Sequence, residues 1–209
     1  DETRWAVFAE ILGKVGHRWY MWVLQSSSVA HYVVDPPRAA EVVIAEFAGV
    51  KQGIISCDRY SGYKRFARLN PGIKLAFCWA HQRRDFLDLA NAYPQSAEWA
   101  LQWVDRIGQL YHLNAVRLSA QINSPERLSA NLDLEQAVQQ MASDCAAGVV
   151  NHETFPPAAK VLESMTAHWA GLIVFVACPW VDMDNNQAEG SVVNGSLTVI
   201  LKPCWTISR

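Results

Sequence analysis

The sequence predicts an α/β protein, a mixed sheet with flanking helices and an all-helical insertion. Three observations lead there. The first part of the chain reads as a meander of strands that gives way to alternating helices and strands. The middle, from Asp85 to about His168, keeps helical spacing throughout. Three carboxylates far apart in sequence, Asp1, Asp58 and Glu189, fall where strand ends and a late helix would gather them.

The elements follow in order. Asp1 to Ile11 reads as a strand, with Trp5, Val7, Ala9 and Ile11 alternating against Arg4, Ala6, Phe8 and Glu10. Gly13 and Gly16 bracket a turn. His17–Leu24 is a second, aromatic-rich strand and Val29–Val34 a third. Asp35-Pro36-Pro37 stops the sheet. Proline is tolerated in the first turn of a helix, and Arg38–Ala48 follows with good helix formers. Gly49 is placed to cap its end. Gly53–Cys57 is a short apolar run bounded by turn signals, the mark of a strand buried on both faces. Asp58 lies at or just past its end, where open α/β sheets bind ligands. Tyr60–Leu69 reads as a short helix, Asn70-Pro71-Gly72 as a turn and Ile73–Trp79 as a strand.

Beyond Asp85, Phe86, Leu87, Leu89 and Ala90 lead a helix that pauses at Tyr93-Pro94. Trp99, Trp103, Ile107 and Leu110 stripe the next, and Ser124-Pro125 and Phe155-Pro156-Pro157 punctuate two more. The order β-β-β-α-β-α-β is the ribonuclease-H-like pattern, in which the first and fourth strands are neighbours and each can carry an acid. The expected organisation is residues 1–84 as the first part of that core, 85–167 as the helical insertion, and 168–209 as the last part with a divergent tail.

A chain of 209 residues that is 51% hydrophobic and 18% charged, with nine tryptophans, buries a sizeable core and is not disordered. Apolar runs such as Gly171–Cys178 are too short to span a bilayer. No basic and apolar leader marks secretion, and the five cysteines are scattered, so reduced thiols in a cytoplasmic protein are expected. No Gly-x-x-x-x-Gly-Lys phosphate loop is present. The net charge of −2 is uninformative, but its distribution is uneven. Arg59 to Arg84 holds seven basic residues and no acid, and Asp85 to Glu163 holds ten acids against four bases. A basic block beside carboxylates suits a polyanionic substrate.

If Val181–Glu189 is helical, Asn185 and Asn186 lie four and three positions before Glu189 and share its face. Three converging carboxylates suit two Mg²⁺ ions, which take oxygen ligands and serve the attacking and leaving oxygens of a phosphate displacement. Asp-Asn-Asn is equally a helix-cap sequence.

Several pieces then carry a likeness: Asp1-Glu2-Thr3-Arg4-Trp5, Gly16-His17-Arg18-Trp19, Asp58-Arg59-Tyr60-Ser61-Gly62-Tyr63, and Phe77-Cys78-Trp79-Ala80-His81-Gln82-Arg83-Arg84-Asp85-Phe86. His168-Trp169-Ala170-Gly171-Leu172 and Met183-Asp184-Asn185-Asn186-Gln187-Ala188-Glu189 complete the set. In this order and spacing, the chain resembles the transposases of the insertion-sequence-sixty-six family, a bacterial group in the DDE superclass. The resemblance implies that Asp1, Asp58 and Glu189 are the catalytic triad and bind two Mg²⁺ (or Mn²⁺) ions. Water would cleave a strand at the transposon end, and the freed 3′-hydroxyl would attack target DNA. Arg59, Lys64, Arg65, His81, Arg83 and Arg84 would hold DNA phosphates, and Tyr60 and Trp79 would stack on an unpaired base. Asn185 and Asn186 would orient Glu189 or cap its helix. The implied partners are the transposon ends and target DNA, further copies of the full-length chain, and helper proteins of the same element; no membrane is implied.

After Glu189 the likeness stops. Gly190 stands where the family has arginine, Asn194-Gly195 signals a turn and Leu197–Leu201 a strand. The chain opens on the first matched acid, so it is expected to be an excised catalytic core or the product of a decayed element. A truncated, inactive remnant that only binds DNA or partner subunits remains a second reading. A nuclease that nicks DNA without joining it is a third.

Overall fold

The computed structural model describes residues 2–5, 19–26, 29–35, 39–151, 155–186 and 200–202. They form an α/β chain with two compact units, Asp1–Cys78 together with Asp184–Arg209, and Trp79–Met183.

The first unit holds the sheet. Its strands are β1 (Glu2–Trp5), β2 (Trp19–Ser26), β3 (Ala30–Asp35), β4 (Gln52–Cys57), β5 (Gly72–Phe77) and β6 (Ile200–Lys202), with helices α1 (Ala40–Glu46) and α2 (Ser61–Leu69). The remainder of the expected first strand, 6–11, lies outside the described residues. The meander is present: β2 pairs antiparallel with β1 and with β3. β4 and β5 pair in parallel from Gln52↔Gly72 to Cys57↔Phe77. β6 bridges the two halves, parallel to β2 and antiparallel to β4. It follows that β1, β3, β4 and β5 run one way and β2 and β6 the other.

Two expectations change here. The first strand was placed beside the fourth, but among the described residues the strand bonded to that edge of β4 is β6, over Ile54–Ser56. And the fifth strand ends at Phe77 rather than Trp79. The β4–β5 ladder stops at Cys57↔Phe77, after which Trp79 opens a helix.

Why these residues build this unit is plain from burial. Ile54, Ile55, Ser56 and Cys57 are buried in succession, so both faces of β4 are covered. Val42, Val43 and Phe47 lie buried along α1, and Tyr63 and Phe66 along α2. Phe47 and Phe66 meet with ring centroids 5.4 Å apart, and Tyr63 sets an edge against Trp22. α1 ends at Glu46 with Phe47 as its C-cap, short of the expected Ala48. Gly49, with φ 87°, lies in the Phe47–Val50 turn that follows, a left-handed conformation that glycine adopts without strain.

The second unit is all helix: α3 (Trp79–Ala92), α4 (Ala97–Ser119), α5 (Pro125–Asn151), α6 (Pro156–Leu172) and α7 (Val174–Ala177), with a 3-10 turn at Pro94–Ser96. Pro125 and Pro156 open their helices, where the missing N–H costs nothing. Phe86 stacks on Trp103 at 5.4 Å with 3° between planes, and Trp99 sets an edge against both. Arg106 lies over the Trp103 ring and reaches Asp144 at 2.9 Å, tying α4 to α5. Gly148 lets α5 approach α6, since a Cβ there would sit 2.7 Å from Leu162 Cδ1. Arg117 is buried and donates to the carbonyls of Phe175 and Val176 and to Asn114 Oδ1. Those bonds give the last carbonyls of α7 the partners that a helix end otherwise lacks. Burial lowers the pKa of Arg117, with the Arg127 charge adding to the effect.

The aromatic stack yields a direct test. Phe86→Ala removes a fully buried ring against Trp103 and is expected to cost the helical unit about 3–5 kcal/mol in urea denaturation followed by circular dichroism. A loss below about 1 kcal/mol would mean that the stack does not hold this unit together.

Candidate functional site

The β4–β5 ladder determines where chemistry-bearing groups emerge. Asp58 directly follows the last residue of β4, and its carboxylate is half-buried. The Tyr60 N–H donates to Asp58 Oδ1 at 2.8 Å, closing an Asx turn just before α2 begins at Ser61. The Tyr60 ring packs on Trp22 at 5.8 Å and edge-on to Tyr63 at 6.0 Å. Gly62 makes room for it: a Cβ there would strike the Tyr60 ring and come within 3.3 Å of the Ala40 Cα.

On α2, Lys64 is half-buried and Arg65 exposed, and Arg65 pairs with Glu41 at 2.5 Å. The Glu41 carboxyl is held below its usual range by its own backbone N–H and by the Arg65 guanidinium. Arg59 is half-buried. In the helical unit, α3 carries half-buried His81 and exposed Arg83 and Arg84.

Trp79 is a correction. It was expected to stack on a base, but it is fully buried, and its indole N–H donates to the Leu172 carbonyl at 2.7 Å. Trp169 sets an edge against it at 6.0 Å. Core packing uses the whole ring, so no face is left for a ligand.

The chain returns near the end of the described sequence. Cys78 N–H donates to the Cys57 carbonyl at 3.1 Å, and Trp79 N–H donates to the Met183 carbonyl at 2.9 Å. Asp184 therefore begins one residue beyond a bond to the strand-to-helix junction that follows β5. Asp184 Oδ1 accepts the Asn186 N–H at 3.1 Å, an Asx turn leading into the helical backbone at Asn186. This agrees with the reading of Asp-Asn-Asn as a cap sequence.

Asn185 and Asn186 were expected to share the face of Glu189, which lies outside the described residues. Asn186 is exposed and Asn185 is 1% exposed. Neither Nδ2 nor Oδ1 of Asn185 has a hydrogen-bond partner among the described residues. A buried amide left unsatisfied costs about 1–3 kcal/mol per group.

Asp1 and Glu189 lie outside the described residues. Among the described residues no group of three or more His, Cys, Asp or Glu side chains is arranged to hold a metal. What the structure does place in one unit is Asp58, Asp184, Asn185 and Asn186. A carboxylate oriented by a backbone N–H and a buried amide without a partner are oxygen donors of the kind a hard divalent cation takes.

Gly62 generates a test of this local geometry. Gly62→Val should destabilise the sheet unit by about 1–3 kcal/mol, because Tyr60 and α1 must move. Gly108→Ala in α4, where no atom lies within 4 Å of the added Cβ, should instead be neutral or stabilise by up to about 1 kcal/mol. Equal urea midpoints for the two variants would contradict the close packing at Gly62.

Comparison with known proteins adds a family. The family model described as "Transposase IS66 family" matches residues 1–194. The chain is 28% identical over 182 residues to the uncharacterized protein y4jD of Sinorhizobium fredii, covering 85% of this chain and 35% of that protein. It is 34% identical over 104 residues to the uncharacterized protein y4qI of the same organism, covering 43% of this chain and 19% of that protein. The chain thus spans about a third or less of the length of these relatives. No solved structure matches it. No helix among the described residues is long and apolar enough to cross a membrane.

Proposed function

Since the chain belongs to the Transposase IS66 family, we propose that it is the catalytic core of a DDE transposase, which cleaves DNA at transposon ends and joins them to target DNA. The observation that carries this reading is Asp58, oriented by the Tyr60 N–H at the end of the parallel β4–β5 pair. The element order β1-β2-β3-α1-β4-α2-β5-α3, with β2 reversed against β1, β3, β4 and β5, supports a ribonuclease-H-like core. On this reading residues 1–84 and 168–209 make the core, and 85–167 are its helical insertion.

Asp1, Asp58 and Glu189 are the proposed ligands for two Mg²⁺ or Mn²⁺ ions, which would activate the attacking oxygen and neutralise charge on the leaving one. The chain's own groups orient and hold. Tyr60 fixes the Asp58 carboxylate through its backbone. Arg59, Lys64 and Arg65 beside Asp58, and His81, Arg83 and Arg84 on α3, hold DNA phosphates. The Arg65–Glu41 pair is exposed, so phosphate can displace the carboxylate at small cost. The Tyr60 ring packs on Trp22 and Tyr63, so its part in the site is to orient Asp58 rather than to stack on a base. Asn186 supports the segment that leads to Glu189. Further copies of the chain and helper proteins of the same element are proposed partners of the full-length protein.

Gly190, in place of the family's arginine, favours one rival: an inactive remnant that binds DNA or partner subunits. A plasmid carrying the ends of the source element, incubated with Mg²⁺ or Mn²⁺, separates the readings. Cleaved and joined products that vanish in Asp58→Ala, with DNA binding retained, are expected. DNA binding without cleavage by the wild-type chain would establish the remnant, and nicking without joined products would establish a nuclease.

A further inference from the structure

The sheet unit leaves one edge of its sheet open. Among the described residues β3 pairs only with β2, whose other edge is taken by β1 and β6. The Ser26 N–H donates to the Val29 carbonyl at 2.7 Å, a hydrogen-bonded pair that continues the β2–β3 register. Bonded and unbonded pairs alternate along an antiparallel ladder. His31, Val33 and Asp35 therefore bond to β2, and Ala30, Tyr32 and Val34 direct their N–H and C=O groups to the open edge. Proteins blunt such edges with lysine, proline or a bulge. At the opposite edge β5 carries exposed Lys74. β3 has no lysine or proline within Ala30–Asp35, and its register with β2 is unbroken. Tyr32 and Val34, each 43% exposed, continue the face of buried Val23 and Met21, their neighbours on β2.

This edge is complementary to itself. Two β3 strands running antiparallel across a two-fold axis at Val33 set Tyr32 opposite the partner's Val34, where both main-chain bonds form, and symmetry repeats the pair. An aromatic ring then meets a β-branched side chain. The same register sets His31 opposite the partner's Asp35, an imidazole against a carboxylate at each end of the pair. His31 is exposed and Asp35 half-buried, and the His31 ring is oriented by Glu46 of its own chain at 2.9 Å. Pro36, opposite the partner's Ala30, has no N–H to give and closes the ladder. We infer that the β3 edge is a docking surface for a second copy of this chain, the two sheets joining antiparallel across the paired Val33 residues. Further copies of the chain are among the partners proposed above, and this inference gives them a surface. It rests on the sheet edge alone and holds whether or not the chain cleaves DNA. So short an edge pair buries a small area, which makes the dimer weak and reversible.

Sedimentation velocity over a series of concentrations tests this on the 209-residue chain and on Val34→Pro. The Val34 N–H faces the open edge, so proline there removes bonds of the dimer and none of the β2–β3 ladder. Circular dichroism checks that the variant folds. Wild type is expected to shift from monomer to dimer as concentration rises. Val34→Pro should dimerise about 10- to 100-fold more weakly, since each copy loses one main-chain bond to its partner. Cysteine cross-linking reads the register and decides alone should Val34→Pro not fold. In an unbonded antiparallel pair the Cα atoms lie about 4.5 Å apart, within disulfide range. Val33→Cys should therefore give a disulfide-linked dimer on mild oxidation, above the wild-type background, and Tyr32→Cys should not. Cross-linking through Tyr32→Cys but not Val33→Cys would move the axis and overturn this pairing. A wild-type dimer that folded Val34→Pro leaves unchanged would put the interface on another face and overturn the assignment. A monomer at every concentration would overturn it as well, leaving the edge to an extended segment of another protein.

Discussion

The parallel ladder between β4 and β5 is the constraint on which the rest depends. It aligns Cys57 with Phe77, so both strands end together. From that common end the chain leaves twice, into the Asp58 turn and α2, and through Cys78 into α3. The ladder extends by one more bond, from Cys78 N–H to the Cys57 carbonyl, and the next residue, Trp79, receives the chain on its return through Met183. A parallel pair cannot be closed by a tight hairpin, and here α2 provides the crossover. Loosening the ladder would therefore misplace Asp58 and the strand-to-helix junction at the same time.

Much of this was legible in the amino acids because punctuation was strong. Gly49 takes the left-handed conformation in the turn after α1, and Pro125 and Pro156 start α5 and α6. The continuous apolar run of β4 announced a strand covered on both faces, and its residues are buried accordingly. Trp79 was misread for a physical reason. A tryptophan at the end of an apolar run continues a strand pattern as readily as it starts a buried helix, and only the partners, the Leu172 carbonyl and the Trp169 ring, decide. The tail strand was read over Leu197–Leu201: Ile200 and Leu201 are in β6, and 197–199 lie outside the described residues. What no local pattern encodes is its pairing with β2 and β4 at long range.

The candidate site shows the same division. Asp58 was placed from sequence because an acid after a buried strand is a local signal. The difference between Asn185 and Asn186 was not, because adjacent residues on a helix start point about 100° apart, and which one turns inward depends on what surrounds them. Charge followed a similar course. The basic run from Arg59 to Arg84 looks continuous in sequence, but the structure divides it between α2 with its turn and β5 in one unit and α3 in the other. Arg65 is also engaged with Glu41. A linear charge count overstates how many of these cations serve one surface.

The proposed convergence of Asp58 with Asp1 and Glu189 around divalent cations is tested most directly by anomalous diffraction from crystals of the chain grown with Mn²⁺. Anomalous peaks within coordination distance of the Asp58 carboxylate, shared with Asp1 and Glu189, are expected. Manganese bound elsewhere, with no peak at Asp58, would contradict that convergence.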